Sequence, residues 1–408
     1  MKKILIVGSG AQGNVICGVL SKAEDVGKIV MGDINPERAG EVAEHIGNSK
    51  VAAERIDASN LKAMESRMRA EEGGFDLVIN ATLPEFNRQI IQAACRARVN
   101  YLDMAAYEFF PKEGVLLDEL EYEQEWNEAG LNALISAGGD AGLVNVMAKE
   151  AADELDEIDY IGIKDYGVVN CDVPVALWSM KTFLEDCYDK PVIWEDGKHK
   201  FVEPFSGEEE YDFPAPLNLR GKVYHHVHEE PMTIPLYIGK PVKYCDFKLG
   251  DPDSEMWKFL IQGLGLMDDK PIEVKGCKIS PRDLLFKLIP PTLSPQQMIK
   301  LVKEKRIMSQ LMVAVDVVGK KGDRKLYYKL WSDSPNSVEA CEWIPGTNDV
   351  SWLTSIPASI FSLMLLRDQV GHTGIFPPEV FNREERTIFF NGIKEWGVKV
   401  HKQVQEII

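Results

Sequence analysis

The chain has 408 residues, with 46 lysines and arginines against 64 aspartates and glutamates, a formal net charge of −18, and 45% apolar residues. That length holds two or three domains with real hydrophobic cores, and the composition is that of a folded globular protein rather than a disordered one. The acidic balance argues against nucleic-acid and membrane-surface partners, and seven scattered cysteines without a C-x-x-C pair point to reduced thiols in a cytoplasmic protein, with no disulfide framework and no metal knuckle.

Met1-Lys2-Lys3 runs directly into Ile4-Leu5-Ile6-Val7, so the first residues are expected to belong to the fold and not to a targeting segment. Short β-branched runs near 3–8, 28–33, 50–56, 76–81, 99–104 and 131–136 alternate with helical periodicity at 13–22, 36–46, 59–71, 86–97 and 114–129. Parallel neighbours need a crossover, which a helix usually supplies, so residues 1–140 are expected to form an α/β Rossmann domain with a doubly wound parallel sheet. Beyond 140 the rhythm changes. A helix at 142–155, a strand at 158–165 and a helix at 174–187 lead into a Pro-, Gly- and acid-rich stretch, Pro191 to Pro216. Strands follow at 221–228, 242–248, 309–318 and 324–331, the last two separated by Gly319-Lys320-Lys321-Gly322-Asp323 as in an antiparallel hairpin. Residues 141–349 are therefore expected to form an α+β second domain with a largely antiparallel sheet. Helices at 350–366 and 384–396 close the chain, and about 350–408 is expected to complete the first domain. The most apolar late run, Ile356 to Leu366, is shorter than the roughly 20 residues that cross a bilayer.

Gly8-Ser9-Gly10-Ala11-Gln12-Gly13 stands directly after a strand and before a helix. The first glycine permits a tight turn, the second a close approach of backbone to a pyrophosphate, and the third close packing of helix on strand. Asp33 follows Gly13 by 20 residues, at the end of the second strand, where a carboxylate accepts hydrogen bonds from the adenosine ribose. It would repel a 2′-phosphate, so NAD is favoured over NADP, a preference that Arg38 could soften. A doubly wound domain holding FAD, another nucleotide or nothing is the plainer reading. Asp57 is an adenine-side candidate or an N-cap for the helix from Ser59. Asn80-Ala81-Thr82 would let the nicotinamide ribose come close, or form a turn with Thr82 as N-cap.

The chain also resembles the saccharopine dehydrogenase-like oxidoreductases. Besides the glycines, the resemblance rests on Asp76-Leu77-Val78-Ile79-Asn80-Ala81, Val99-Asn100-Tyr101-Leu102-Asp103 and Gly139-Asp140-Ala141-Gly142-Leu143. Farther on it rests on Trp178-Ser179, Trp194 to Lys198, Asp212-Phe213-Pro214, His228-Glu229-Glu230-Pro231 with Thr233-Ile234-Pro235, and Gly374 to Glu379. It implies hydride exchange between NAD(P) and an amine-bearing carbon of an amino acid or amino-acid conjugate, passing through an imine. It also implies a second domain carrying the small-molecule substrate and a homodimer interface. A lysine 6-dehydrogenase or a carboxynorspermidine/homospermidine-type activity fits the same residues, and an inactive dinucleotide-binding scaffold or sensor is the reading of another class. Two departures stand out: Ala141 occupies a position where the family often has proline, and Tyr166-Gly167-Val168-Val169-Asn170-Cys171 replaces a glycine-rich loop expected to line the pocket.

Such chemistry needs a proton partner near the carboxyl ends of strands five and six, where open α/β sheets place their ligands. Asp103, Tyr107 and Asp140 meet that rule. The resemblance implies Asp140 as the main acid/base or amine partner and Tyr107 as a second donor, against a plain role for Asp140 in capping the helix from Gly142. In Tyr224-His225-His226-Val227-His228-Glu229-Glu230, strand alternation would put His226 and His228 on one face and His225 on the other, so no metal is expected there. His228 and Glu229 are instead structural or pocket-lining candidates. Arg220 and Arg282 could clamp a substrate carboxylate or form surface ion pairs.

Overall fold

Lys2–Val7 (β1) buries Ile4, Leu5, Ile6 and Val7 to 1% exposure or less, the pattern of a strand covered on both faces. The computed structural model describes residues 1–106 and 117–408. After β1 come Ala11–Leu20 (α1), Val26–Asp33 (β2), Pro36–Ile46 (α2), Val51–Arg55 (β3), Leu61–Ala70 (α3), Leu77–Asn80 (β4), Asn87–Ala97 (α4), Asn100–Asp103 (β5), Glu123–Ala129 (α5), Asn132–Leu134 (β6) and Leu143–Ala152 (α6). β1 pairs in parallel with β2 on one side and β4 on the other, so the winding reverses beside it. Val7 lies opposite both Gly32 and Asn80, and Asn80 opposite Asp103, which lines up the carboxyl ends of four strands. Open α/β sheets hold ligands at such a switch point. The helix expected at 114–129 is shorter: a 3-10 turn at Asp118–Tyr122 precedes α5, which stops at Gly130 in the left-handed region, φ 64°.

Glu157–Cys171 (β7), fifteen residues long, opens a second sheet. It is followed by Met180–Tyr188 (α7), Val192–Glu195 (β8), Lys198–Phe201 (β9), Glu209–Phe213 (β10), Leu219–His225 (β11), Glu230–Tyr237 (α8), Val242–Gly250 (β12), Ser254–Lys258 (α9), Ile272–Val274 (β13), Cys277–Ile279 (β14), Pro281–Leu288 (α10), Pro295–Lys303 (α11), Ile307–Lys321 (β15), Arg324–Asp333 (β16) and Ser337–Trp343 (α12). The Pro-, Gly- and acid-rich stretch thus resolves into three short strands. β12 runs parallel to β7, whereas the pairings of β10 with β11, β11 with β12, β7 with β15 and β15 with β16 are antiparallel. Lys321 pairs with Arg324, so the β15–β16 turn is Gly322-Asp323 alone, not the five-residue loop expected. Gly322 at φ 58° allows that two-residue reversal, and Gly319, Lys320 and Lys321 stay in the ladder.

The remaining elements are Asp349–Leu366 (α13), Gly374–Phe376 (β17), Arg383–Glu395 (α14) and Lys399–Ile407 (β18). β17 adds a seventh parallel strand next to β6, giving the order β17-β6-β5-β4-β1-β2-β3, and β18 pairs with β16 at the edge of the second sheet. Helix α13 is longer than its apolar run and reaches a mean hydropathy of 1.4, enough by length and composition to cross a membrane, yet 83% of it is buried inside the fold as a core helix. Its buried Ser359 and Ser362 donate to the carbonyls of Ser355 and Ala358, each at 2.7 Å, which satisfies hydroxyls that no water reaches. By compactness the chain divides into Met1–Leu155, Met232–Lys240 and Ser351–Val400 in one unit, and Asp156–Pro231, Pro241–Val350 and His401–Ile408 in the other.

Candidate active site

The glycine turn meets its steric requirements one residue at a time. A Cβ on Gly13 would lie 2.0 Å from the Gly8 carbonyl oxygen, and one on Gly8, itself at φ +105°, would lie 2.4 Å from that of Ala81. Both glycines are required by the fold. Gly10 differs, because a Cβ there would meet no protein atom closer than a guanidinium nitrogen of Arg38 at 3.9 Å. Its missing side chain leaves a cradle above the start of α1. Gly10 is also the N-cap of α1, with no side-chain cap bond and no acid in the first turn. Bare amides at the positive end of a helix, beside an open glycine, suit a pyrophosphate.

Asp33 closes this turn from below. Its Oδ2 accepts from the Ser9 amide at 2.9 Å and from the Ser9 hydroxyl at 2.6 Å, and its Oδ1 accepts from the Asn35 amide at 2.9 Å. Burial pushes the carboxyl up, but the Ser9 hydroxyl, the two amides and the Arg38 charge outweigh it and hold Asp33 below the usual aspartate range. Gln12, within the same hexad, accepts on its backbone carbonyl from the Ser355 hydroxyl at 3.3 Å. Asp57 holds the Ser59 amide and hydroxyl, while the helix cap expected of it falls to Asn60, which accepts from the Ala63 amide. Asn80 is buried and turned inward: its amide donates to Asn87 at 2.6 Å, and its carbonyl accepts from the amide and hydroxyl of Thr82. Thr82 is not an N-cap, since the 3-10 turn at Pro84–Phe86 begins from Leu83.

After β6 the chain makes a tight loop. The Gly138 amide donates to the Ala141 carbonyl at 2.7 Å, and the Leu143 amide to the Gly138 carbonyl at 2.9 Å. A Cβ on Gly142, at φ +130°, would lie 2.1 Å from the Gly138 oxygen, so only glycine closes the loop. Asp140 sits half-buried at its tip. The capping role weighed for it belongs to Gly142 and Asn145, whose side-chain oxygen accepts from the Gly142 amide at 2.8 Å. Asp103, 1% exposed, accepts from the Ser136 amide at 2.7 Å, fastening the chain just after β6 to β5. Tyr107 lies outside the described residues.

In the second unit the three histidines take three paths. β11 stops at His225, so the alternation expected to pair His226 with His228 does not operate. His225 Nε2 lies 3.2 Å from Asp246 and its Nδ1 3.0 Å from the Ser206 hydroxyl. His226 Nε2 lies 3.5 Å from Cys187 Sγ; burial, then the charge of His228, pull this imidazole down to about 3, and burial pushes the thiol up. That pair is neutral and unreactive at neutral pH. His228 instead meets Glu230 and Glu229, and one donor atom from each of the three lies within 4.8 Å of the others. Asp186 on α7, which no spacing in the sequence pointed to, is pushed up to about 8 by burial and by the carboxylates of Glu229, Asp189 and Glu185, against the lowering charge of His228. Arg220 is exposed on β11 and grips Asp212 of β10 with two nitrogens at 2.7 and 2.9 Å, the surface pair rather than a free clamp. Arg282 likewise pairs with Asp269 at 3.1 Å.

A doubly wound sheet whose switch point carries an uncapped glycine cradle, with an acidic loop at the carboxyl end of β6, defines a dinucleotide-binding oxidoreductase. Residues 4–134 match the family model for the saccharopine dehydrogenase NADP binding domain, and residues 138–398 that for the saccharopine dehydrogenase C-terminal domain. The chain belongs to the saccharopine dehydrogenase family, and it is an oxidoreductase that binds a nicotinamide dinucleotide. It is 24% identical to the carboxyaminopropylagmatine dehydrogenase of Synechocystis sp., over 99% of this chain and 98% of that protein. It is 26% identical to the carboxynorspermidine synthase of Vibrio cholerae, over 93% and 92% of the two chains. In fold it is similar to the L-Glu-forming saccharopine dehydrogenase of Saccharomyces cerevisiae, with a TM-score of 0.71 and 14% identity over 99% of this chain and 100% of that one. The homospermidine synthase of Legionella pneumophila, solved with NAD, gives a TM-score of 0.68 and 15% identity over 99% and 91%.

Proposed function

We propose that this protein interconverts an amine and an imine at a carbon of an amino-acid conjugate of the carboxylated polyamine kind, with NAD as the preferred coenzyme. The observation that carries the reading is the cradle at Gly10, where a Cβ would meet nothing closer than the Arg38 guanidinium at 3.9 Å, at the start of a helix without a side-chain cap, in a sheet whose sixth strand leads into the loop of Asp140. The names of the full-length relatives support the substrate class. Gly8, Ser9, Gly10, Ala11, Gln12 and Gly13 would hold the pyrophosphate, Asp33 the adenosine ribose and Asp57 the adenine side, while Ala81 and Thr82, positioned by Asn80, would flank the nicotinamide ribose. The coenzyme, when bound, supplies the hydride acceptor or donor.

In the oxidative direction a proton leaves the amine nitrogen, a hydride leaves the adjacent carbon, and water adds to the imine. Asp140 takes and returns the nitrogen proton, with Tyr107 as a second donor. Asp103 keeps the loop in place, and His228 contributes to holding substrate. NAD is preferred because Asp33 repels a 2′-phosphate, and Arg38 moderates the ratio without reversing it. Reduced thiols agree with a cytoplasmic location, and the family resemblance with a homodimer. The test follows the reduced-nicotinamide absorbance band with saccharopine, lysine and carboxylated polyamines as donors, each with both coenzymes. Turnover is expected with a carboxylated polyamine and faster with NAD. Coenzyme binding without turnover of any donor would leave a scaffold instead of an enzyme.

A further inference from the structure

The turn after β4 is held from behind by a chain of buried side chains. Glu119, in the 3-10 turn Asp118–Tyr122, is 0% exposed, Asn87 at the start of α4 1%, and Asn80 at the end of β4 2%. Asn87 Nδ2 donates to Glu119 Oε1 at 2.5 Å and to the Ala105 carbonyl at 2.9 Å, which uses both of its hydrogens. Asn87 Oδ1 accepts from Asn80 Nδ2 at 2.6 Å, and Asn80 Oδ1 accepts from the Thr82 amide at 3.0 Å and the Thr82 hydroxyl at 2.6 Å. The backbone fixes the direction of these links. A carbonyl only accepts, so Ala105 selects the nitrogen end of Asn87; an amide only donates, so Thr82 selects the oxygen end of Asn80. The Leu83 carbonyl, 3.3 Å from the Thr82 hydroxyl, is likewise an acceptor, so the single hydroxyl hydrogen stays inside the protein. Thr82 Oγ1 therefore has only lone pairs left to offer a ligand.

Thr82 borders the glycine turn, because a Cβ on Gly8 would lie 3.0 Å from the Thr82 amide nitrogen. We infer that Glu119 is a positioning residue for the coenzyme: acting through Asn87 and Asn80, it sets the Thr82 hydroxyl as the acceptor for a hydroxyl of the nicotinamide ribose. The assignment rests on the dinucleotide reading above and adds to it the polarity of one contact. A phosphate offers only acceptor oxygens, so this chain selects the sugar over the pyrophosphate. Without the Glu119 acceptor, one N–H of Asn87 would be left buried and unpaired, a cost that favours other positions of that amide and loosens the links beyond it.

The test is calorimetric titration of the full-length protein with NAD, with ADP-ribose, which lacks the nicotinamide, and with ADP, which lacks the nicotinamide ribose as well. Glu119→Met and Thr82→Val are each expected to weaken NAD and ADP-ribose about three- to tenfold, as loss of one hydrogen bond does, and to leave ADP unchanged. The double variant is expected to bind no more weakly than Thr82→Val, because both changes act on one contact. Glu119→Gln, whose side-chain carbonyl can accept the same N–H, and Thr82→Ser, which keeps the hydroxyl, are expected to bind all three probes as the wild type does. Glu119→Met weakening ADP as much as NAD would make the residue a packing element and overturn the inference, as would Glu119→Gln binding as weakly as Glu119→Met. A loss confined to NAD, with ADP-ribose kept, would assign the donor to the nicotinamide amide and overturn the ribose contact. Should Glu119→Met fail to fold, the Thr82 variants decide: equal NAD binding by Thr82→Val and Thr82→Ser sinks the proposal. Failure of the wild type to bind any of the three probes would instead overturn the dinucleotide reading itself, whereas wild-type binding with no difference among the variants overturns this assignment alone.

Discussion

The glycine turn of the first unit and the histidine–carboxylate cluster of the second are built by opposite means. The turn works through backbone and absence: no side chain on Gly10, no side-chain cap on α1, and a half-buried carboxylate that accepts from Ser9 and Asn35. The cluster works through side chains: His228 meets Glu230 at 2.7 Å and Glu229 at 3.5 Å, and burial raises Asp186, within electrostatic reach of both His228 and Glu229, to about 8. A backbone site tolerates almost no change in shape, whereas a side-chain site tolerates shape changes and responds to charge.

The largest effect should come where a charge does the chemistry. Asp140→Asn keeps the shape of the loop, so turnover is expected to fall about 10²- to 10⁴-fold with dinucleotide affinity unchanged, read as kcat beside a coenzyme titration. Near-normal turnover would move the proton partner elsewhere. The contrast between two neighbouring glycines comes next. Gly13→Ala forces a Cβ to within 2.0 Å of backbone and should destabilise the protein by about 2 kcal/mol or more in urea unfolding. Gly10→Ala has room, so its stability should hold while dinucleotide affinity drops at least about tenfold. If both variants lose stability alike, the cradle at Gly10 is a packing feature.

Two aspartates should then give stability profiles of opposite slope. Asp33 is held below its unfolded value, so its contribution is present above the ordinary aspartate range and is lost as the pH falls through the depressed value. Asp186 is raised to about 8, so its contribution is fully present below the ordinary range of about 4 and fades as the pH rises towards 8. Melting temperature against pH should therefore lose part of its acid limb in Asp33→Asn and part of its neutral-to-alkaline decline in Asp186→Asn. A decline unchanged in Asp186→Asn would mean that the aspartate is not held neutral. The smallest effect belongs to Arg220→Ala, which removes an exposed pair; neither melting temperature nor substrate KM should shift measurably. A large rise in KM would restore the carboxylate clamp.

The legibility of the two regions differs for the same reason. The hexad and Asp33 are joined by one βαβ unit, so a count of residues along the chain already places the carboxylate under the turn. The six alternating strands of the first sheet show themselves because burial on both faces demands continuous apolar runs, Ile4 to Val7 being one. β18 gives no such signal: every residue in it except Val400 is exposed, and only pairing with β16 makes it a strand. The capping reading of Asp140 was equally open until Asn145 took the role, because a loop with two glycines and an acid admits either function.

By itself, then, the sequence determined the order of elements, the glycine cradle and the family, since those depend on short-range spacing and on runs of apolar residues. Tertiary structure decided which histidine meets which acid. His226 meets Cys187, His225 meets Asp246, and Asp186 comes within electrostatic reach of His228, through contacts that span roughly 20 to 40 residues of chain. Such pairings follow from where a strand happens to end, here at His225, and from how a helix packs beside it, and neither is written in the spacing of the residues that meet.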